Sequence, residues 1–305
     1  MSHGHAHDEL EDHDLGLSHD LPQIVERNRW GRRGLLSILG GVGVVAVAGC
    51  AADGSSTSTA SDTASTADAG AAAGGPGGTP PDGGGDMGGE SSVEVAEGEI
   101  PEETAGPYPG DGSNGVNVLA ESGIVRSDLT SSFGSASGVA EGVPVTVRPK
   151  VYDLNGTDVT ALSGAAVYLW HCNREGEYSM YSENVADENY LRGVQETAAD
   201  GTVEFTSIFP AAYSGRWPHM HFEVYQTLAG ATSYTNKLRT SQLALPEDVC
   251  NDVYANADGY DASAANMQQT SLDSDNVFSD GVSLQMATVT GTVDEGYTIS
   301  LNVPV

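Results

Sequence analysis

The sequence predicts an all-β fold, a β-sandwich or a barrel, for residues 99–305. Two observations lead to this fold class. Short segments in which apolar and polar residues alternate recur along the domain, as expected of strands with one buried face. Turn signals separate these segments, and no segment has the periodicity of a long amphipathic helix.

The first predicted strands lie in the first half of the domain. Residues 143–152 (VPVTVRPKVY) alternate, and Pro149 predicts an edge or a bulge there, because proline lacks the N–H of a ladder hydrogen bond. Residues 165–170 (AAVYLW) form the nearly continuous apolar run of a buried strand. After a turn at 200–201, residues 202–209 (TVEFTSIF) alternate again.

The second half contributes three further strands and one short helix. Residues 219–226 alternate, and residues 246–255 predict a helical turn or two that begins with a proline. Residues 258–280 are polar and predict a loop. The chain closes with predicted strands at 283–290 and 297–303.

The charge of the chain excludes one class of partner. The formal net charge is −31 and the sequence pI is about 4.2, which argues against binding nucleic acid through a basic face. The only lysines are Lys150 and Lys237. Many carboxylates belong to the strand-rich half rather than to a tail, among them Asp248, Asp252, Asp258, Asp261, Asp273, Asp275 and Asp280.

So acidic a chain repels itself in dilute buffer, and excess acidic charge is a device of halophilic proteins. We therefore predict a high-salt habitat and a melting temperature that rises with added salt, because dissolved ions screen the repulsion between carboxylates. Thermal unfolding across a salt series measures this. A protein that is most stable without added salt would contradict the prediction.

The N-terminal region predicts an export signal. Residues 1–30 are polar and include a scatter of histidines that could bind metal weakly, but they precede a processing site. Arg32-Arg33 then introduces an apolar run that ends at Gly49. This run is about 15 residues, short of the roughly 20 that cross a bilayer, and has signal-peptide proportions. An arginine pair before it indicates the twin-arginine route.

The apolar run ends in Val47-Ala48-Gly49-Cys50, which resembles a lipobox. The resemblance implies that residues 1–49 are removed and that Cys50 is lipidated, anchoring the protein to the cell membrane. The alternative is a membrane-anchoring helix with an ordinary cysteine, and both readings place the domain outside the cytoplasm. Residues 50–98 are low in complexity and predict a flexible tether that cannot bury a core.

A His-Met-His sequence predicts a metal site in the domain. His219, His221 and Glu223 fall on one face of the strand predicted at 219–226, since successive side chains alternate between faces. Two neighbouring imidazoles can hold one metal ion, and imidazole suits iron, zinc, copper and nickel alike. The alternative is a half-buried strand with two incidental histidines.

Four segments follow one another along the domain: TAGPY (104–108), GAAVYLWHCNREGEYS (164–179), NYLRGVQETAADGTVEFTSIFPAAY (189–213) and GRWPHMHFEVY (215–225). Together, and in this order, they resemble the intradiol ring-cleavage dioxygenases, in particular their small exported members. The resemblance implies a β-sandwich of the intradiol dioxygenase type and one mononuclear non-haem Fe(III). Its ligands then fall on Tyr178, Tyr213, His219 and His221. Phenolate is a hard anionic donor, and so this ligand set suits a ferric ion.

The resemblance also implies roles for residues around the metal. Arg216 would stabilise negative charge on the bound substrate, and Tyr213 would help to take a proton from it. Tyr108 would line the substrate pocket. Arg192 and Gln195 are predicted to support the ligands from behind rather than to act in catalysis.

Three further residues are left with structural interpretations. His171 is interpreted as a packed or hydrogen-bonded residue rather than a ligand. Cys172 and Cys250 remain after lipidation, and outside the cytoplasm they could pair, but the sequence leaves their pairing open. The oligomeric state is open as well.

The sequence thus predicts an exported, lipid-anchored enzyme. It would cleave a catechol-type ring with O₂ to a muconate-type dicarboxylate at a ferric site. One alternative is a non-catalytic extracytoplasmic binding module that retains the fold and the metal site. Another is a copper or zinc site, built on the two histidines, that serves a different reaction.

Overall fold

A computed structural model describes residues 97–305, the predicted β-domain. The predicted signal with Cys50 and almost all of the predicted tether lie outside the described residues. Within the described range, none of the helices combines the length and apolarity that a membrane span requires.

The domain contains nine strands and two short α-helices. The strands are β1 (Pro144–Asn155), β2 (Asp158–Ala161), β3 (Ala166–Trp170), β4 (Arg192–Glu196), β5 (Phe205–Ile208), β6 (His219–Tyr225), β7 (Lys237–Ala244), β8 (Thr288–Thr292) and β9 (Gly296–Pro304). The α-helices are α1 (Glu247–Asn256) and α2 (Ser263–Met267), and single 3₁₀ turns occupy Glu183–Val185, Leu228–Gly230, Tyr234–Asn236 and Leu272–Ser274.

The strands form two sheets. The first has the order β2-β1-β9-β8, with β5 also paired to β1, and the second has the order β4-β3-β6-β7. Every pairing is antiparallel except that of β1 with β9. A single apolar cluster joins the facing surfaces of both sheets, for example Val147 of β1, Ile299 of β9 and Phe222 of β6, all at most 1% exposed. The predicted β-sandwich is therefore confirmed.

Several predicted elements agree closely with the structure. The strand predicted at 219–226 is β6, and the apolar run at 165–170 is β3, every residue of which is buried. Pro149 lies on β1 between the part that pairs with β5 and the part that pairs with β2. The carbonyl oxygen of Pro149 accepts from Val203 N at 3.1 Å, Lys150 bridges Thr202, and β9 pairs along the other side of β1, so the predicted edge or bulge at Pro149 is wrong.

Other predictions need correction. The strand predicted at 283–290 begins only at Thr288, and β2, β4 and β7 were not predicted as strands. The region 258–280, predicted as a loop, contains α2 and a 3₁₀ turn. It packs on the core through Met267, Val277 and Phe278, so spacing of polar residues was a poor guide to its burial.

Both cysteines of the described residues are buried and unpaired, so Cys172 and Cys250 form no disulfide here. Burial raises the pKa of both thiols, which keeps them in the inert protonated form.

Candidate metal centre

The register of the second sheet places polar residues in one row across its outer face. His221 of β6 lies opposite Trp170 of β3 and Gln242 of β7, and Trp170 lies opposite Arg192 of β4. Directly opposed residues share a face. The alternation predicted for β6 is confirmed, because Met220 and its neighbours point into the sandwich core while the histidines point away from it.

Four side-chain donors meet on this outer face, and we call them the four-donor cluster: Tyr178, Tyr213, His219 and His221. The Oη of Tyr213 lies 3.1 Å from Nε2 of His219, which lies 3.1 Å from Nε2 of His221. The Oη of Tyr178 closes the ring at 3.3 Å from His221 Nε2 and 3.4 Å from Tyr213 Oη. The structure therefore brings together all four predicted ligands.

These separations suit one metal ion. Two donors that each lie about 2.1 Å from a common ion, at angles of about 90–110°, are roughly 3.0–3.4 Å apart. Among residues 97–305, no three His, Cys, Asp or Glu side chains gather so as to hold an ion. A metal bound by the four-donor cluster would therefore have phenols as well as imidazoles among its ligands.

The two tyrosines of the cluster lie on two loops that contact each other. Tyr178 follows β3, and Tyr213 lies in the connection between β5 and β6. Gly176 has a φ of 89°, and a Cβ there would lie 3.2 Å from the Cβ of Tyr213. Glycine at this position thus permits both the left-handed turn and the contact between the loops.

Both histidines direct Nε2 at the cluster, and a hydrogen bond fixes the tautomer of His219. The Nδ1 of His219 donates to the carbonyl oxygen of Trp217, which leaves the lone pair on Nε2. The His221 ring stacks on Trp170, with centroids 4.9 Å apart. Burial lowers the pKa of both imidazoles well below the usual value, and the Arg216 charge adds to the effect. They are therefore neutral at pH 7, the form that binds metals.

The phenols are protonated unless a metal ion lies beside them. Burial raises the pKa of Tyr178 well above its usual value, and it raises the pKa of Tyr213 to about 12, against the opposing effect of the Arg216 charge. A bound cation inverts this situation, because it stabilises the phenolate. The residues present fit a strongly Lewis-acidic ion.

Arg216 borders the cluster and is held there on two sides. Its Nη1 lies 3.4 Å from His219 Nε2, its Nε donates to Asp275 Oδ2 at 2.9 Å, and its Nη2 donates to Gln242 Oε1 at 2.7 Å. Asp275 is fully buried and also accepts the backbone N–H of Trp217 at 2.7 Å. The guanidinium is thus fixed beside the metal-binding donors.

Arg192 connects the loops around the cluster. Its five N–H groups donate to the backbone carbonyls of Tyr108, Pro109 and Ser179 and to the hydroxyls of Tyr168 and Ser179, at 2.9–3.1 Å. It therefore ties the loop of Tyr178 to the loop of Tyr108, which is the supporting position that the sequence suggested.

Gln195 is not brought to the cluster. It lies opposite Val167 of β3, which lies opposite Val224 of β6, three residues beyond His221. These residues belong to the other face of the sheet, and three residues correspond to about 10 Å along a strand. Proximity to Arg192 in the sequence therefore misplaced Gln195.

Tyr108 lies beside the four-donor cluster, and His171 lies away from it. The ring of Tyr108 is 5.1 Å from that of Tyr178 and 5.2 Å from that of Tyr181, so the three rings form one aromatic wall. Gly106, with a φ of 72°, brings the preceding loop to the His221 ring. His171 is bonded to Cys172 O and Ser207 Oγ, both at 2.7 Å, away from the cluster.

Sequence reasoning missed two residues of the site. Gln242 lies on β7, whose sequence KLRTSQLA alternates too weakly to mark it as a strand with a polar face. Asp275 was counted among the acidic residues of the strand-rich half, although it is a buried partner of Arg216. A paired carboxylate 59 residues away in the chain leaves no local signal.

The fold and the site together define a class of protein: a β-sandwich with a largely buried candidate metal centre of two tyrosines and two histidines beside a fixed arginine. A family model described as "Dioxygenase" matches residues 123–238, a range that includes all four donors. The chain is 41% identical to chlorocatechol 1,2-dioxygenase of Rhodococcus opacus over 63 residues, 21% of this chain and 23% of that protein. It is 38% identical to catechol 1,2-dioxygenase 1 of Acinetobacter lwoffii over 61 residues, 20% of each.

The family model and these relatives indicate the intradiol ring-cleavage dioxygenase family, in agreement with the resemblance. Three of the four segments lie within the matched range, and the first, residues 104–108, lies outside it. The matched stretch spans less than a quarter of either curated relative. Among solved structures, an intradiol ring-cleavage dioxygenase from Tetranychus urticae superposes with a TM-score of 0.49 at 21% identity, covering 60% of this chain and 87% of that one. Catechol 1,2-dioxygenase from Pseudomonas arvilla superposes with a TM-score of 0.37 at 18% identity, covering 61% and 58%.

Proposed function

We propose that this protein is a non-haem Fe(III)-dependent intradiol dioxygenase that cleaves a catechol-type ring with O₂. The observation that carries the proposal is the closed ring of four donors, 3.1–3.4 Å apart, with the Arg216 guanidinium beside it. Phenolate and imidazole suit a ferric ion, and both curated relatives are named as enzymes of catechols. Both atoms of O₂ would enter the product, so the diol becomes a muconate-type dicarboxylic acid.

Ferric iron, when bound, would supply the Lewis acidity that turns the tyrosines into phenolates and a catechol into a reactive dianion. The other contributions come from the chain. Tyr213 and Arg216 are only partly buried, whereas the other three donors are buried, so substrate would approach from the side of these two residues. The Oη of Tyr213 can take a proton from an incoming catechol hydroxyl.

Arg216 and the aromatic wall would then hold the substrate. The guanidinium stays charged at every working pH, and so it can stabilise negative charge on the catecholate oxygens. The wall formed by Tyr108, Tyr178 and Tyr181 offers a face against which a planar ring can pack.

Colour and oxygen consumption test this function directly. The iron-loaded protein is expected to show a visible charge-transfer band from tyrosinate to Fe(III), and Tyr178→Phe should weaken and shift that band because one phenolate is lost. An oxygen electrode with a panel of catechols should record uptake that depends on iron. Full iron occupancy without a visible band would refute the ligand set.

The same panel separates the alternatives. A coloured protein that takes up no oxygen with any catechol would be a binding module that retains the metal site. A colourless protein that binds copper or zinc in preference to iron would indicate a different reaction.

We further propose export by the twin-arginine route and a lipid anchor at Cys50, supported by the sequence of residues 32–50.

A further inference from the structure

A cavity lies between the two sheets at the end of the sandwich away from the four-donor cluster. It is lined by Leu154 at the end of β1, in the first sheet, and by Leu238 and Arg239 at the start of β7, in the second. The start of β7 pairs with the end of β6, whereas His219 begins β6. The volume of about 300 Å³ is at the lower end of the range for sites that bind small molecules.

A β-bulge turns two consecutive side chains of β7 toward this cavity. Arg239 pairs with Val224 and Lys237 pairs with Tyr225, which leaves Leu238 as an extra residue. Consecutive side chains of a regular strand face opposite ways, but here Leu238 and Arg239 both line the cavity. Because Val224 belongs to the sandwich core, Arg239 faces the space between the sheets and not the outer face that carries the histidines.

Arg239 is buried without a full set of acceptors. Its side chain is 3% exposed, and its Nη2 donates to Glu99 Oε2 at 2.7 Å. Its Nε and Nη1 have no hydrogen-bond partner among residues 97–305. Arg192, which is equally buried, bonds protein oxygens through every guanidinium nitrogen. A buried N–H group without an acceptor is costly, and so Arg239 requires an acceptor that the described part of the chain does not supply.

The rest of the lining suits the apolar body of a small molecule. Four aliphatic side chains line the cavity: Leu154, Leu162, Leu238 and Val305. Asp153 and Gln226 also line it, but both are exposed, so solvent and salt screen the Asp153 charge. A single inorganic ion would leave most of this volume empty. Apolar walls around one charged group are typical of sites that bind small organic ligands.

We propose that this cavity binds a small organic carboxylate. The carboxylate accepts a charge-assisted hydrogen bond from Nε or Nη1 of Arg239, and the aliphatic body packs between the leucines. Such a bond is stronger than one to a neutral acceptor, which favours a carboxylate over an amide. None of the four donors lines the cavity, so this binding site is independent of the proposed dioxygenase function.

The test compares two probes of nearly equal shape, 4-methylpentanoate and 4-methylpentanamide, by calorimetry on the full chain at neutral pH. We expect the carboxylate to bind about 10-fold more tightly than the amide, because only the carboxylate is charged. Arg239→Gln should weaken binding of the carboxylate at least about 10-fold. Leu162→Trp keeps the arginine but fills the space between the walls, and it should abolish binding of both probes.

Arg148→Gln is the matched control, because it also removes an arginine that is paired with a glutamate, but one that is half exposed on the first sheet. It should leave both Kd values unchanged, and circular dichroism of every variant checks folding. Equal Kd values for the two probes would overturn the proposal, as would unchanged affinity in Arg239→Gln or Leu162→Trp. If Arg239→Gln does not fold, Leu162→Trp and the comparison of the probes decide the outcome.

Titrations with and without iron distinguish this site from the four-donor cluster. We expect the same Kd for the carboxylate in both forms. An affinity that depends on iron would place the probe at the metal and would overturn the proposal. Failure of the protein to consume oxygen with catechol would refute the dioxygenase function and leave carboxylate binding at Arg239 unaffected.

Discussion

His221→Gln is expected to lower the affinity for iron at least about 100-fold and to abolish the visible band. The change removes one of four donors from a ring in which each lies 3.1–3.4 Å from its neighbours. Loss of residues that merely support a metal ligand already costs about 10–100-fold in affinity, so loss of a ligand should cost more. Iron per folded protein, after dialysis against a graded series of chelator concentrations, measures the effect.

His171→Gln is the matched control. His171 is as fully buried as His221 and lies on the neighbouring segment, but its two nitrogens bond Cys172 O and Ser207 Oγ rather than the cluster. We expect this variant to keep its iron and to lose about 1–3 kcal/mol of its free energy of unfolding, because a buried hydrogen-bonding partner is lost. Its melting temperature should fall accordingly. Equal iron loss in both variants would mean that the His221 effect reflects folding rather than ligation.

Arg216→Gln is expected to lower kcat/KM for catechol by about 100-fold to 1000-fold while iron content and the visible band persist. Arg216 is not among the four donors, but its Nη1 lies 3.4 Å from His219 Nε2. Removing one preorganised hydrogen-bond donor that stabilises developing negative charge in a catalytic site commonly lowers the rate by this factor. Oxygen uptake at saturating and limiting catechol separates kcat from KM, and the absorption spectrum of the same samples confirms that the metal centre is intact.

Two further variants show whether the effect depends on the placement of the charge. Asp275→Asn should lower kcat/KM less than Arg216→Gln, because the guanidinium stays charged but loses its ion pair. Arg148→Gln removes an arginine that is half exposed and bonded to Glu204 on the other sheet, and it should have no effect. If the iron-loaded Arg216→Gln variant had the same kcat/KM as the unmodified protein, Arg216 would have no part in the mechanism.

The strands that carry the site were predictable because their signal is local. Alternation of apolar and polar residues from His219 onward assigns each side chain to a face, and the structure follows that assignment along all of β6. The same rule failed for residues 283–287, which lie outside β8. Periodicity in a short segment does not decide whether a partner strand is present to pair with it.

The surroundings of the cluster were only partly predictable. Arg192 and Gln195 were both predicted to support the ligands, but only Arg192 reaches the loops of Tyr108 and Tyr178, whereas Gln195 points to the opposite face of the sheet. The two residues are only three positions apart in the sequence. Strand geometry separates them, since neighbours at odd spacing face opposite ways.

By itself, the sequence determined the fold class, the strand with its two histidines and, through the resemblance, the four residues that form the four-donor cluster. These depend on short-range patterns and on motifs of contiguous residues. Only the tertiary structure decided what holds the charge of Arg216 beside these residues: Asp275 and Gln242 reach its guanidinium from positions 59 and 26 residues away in the chain. Such partners are chosen by packing, because a buried guanidinium requires acceptors from whichever elements surround it.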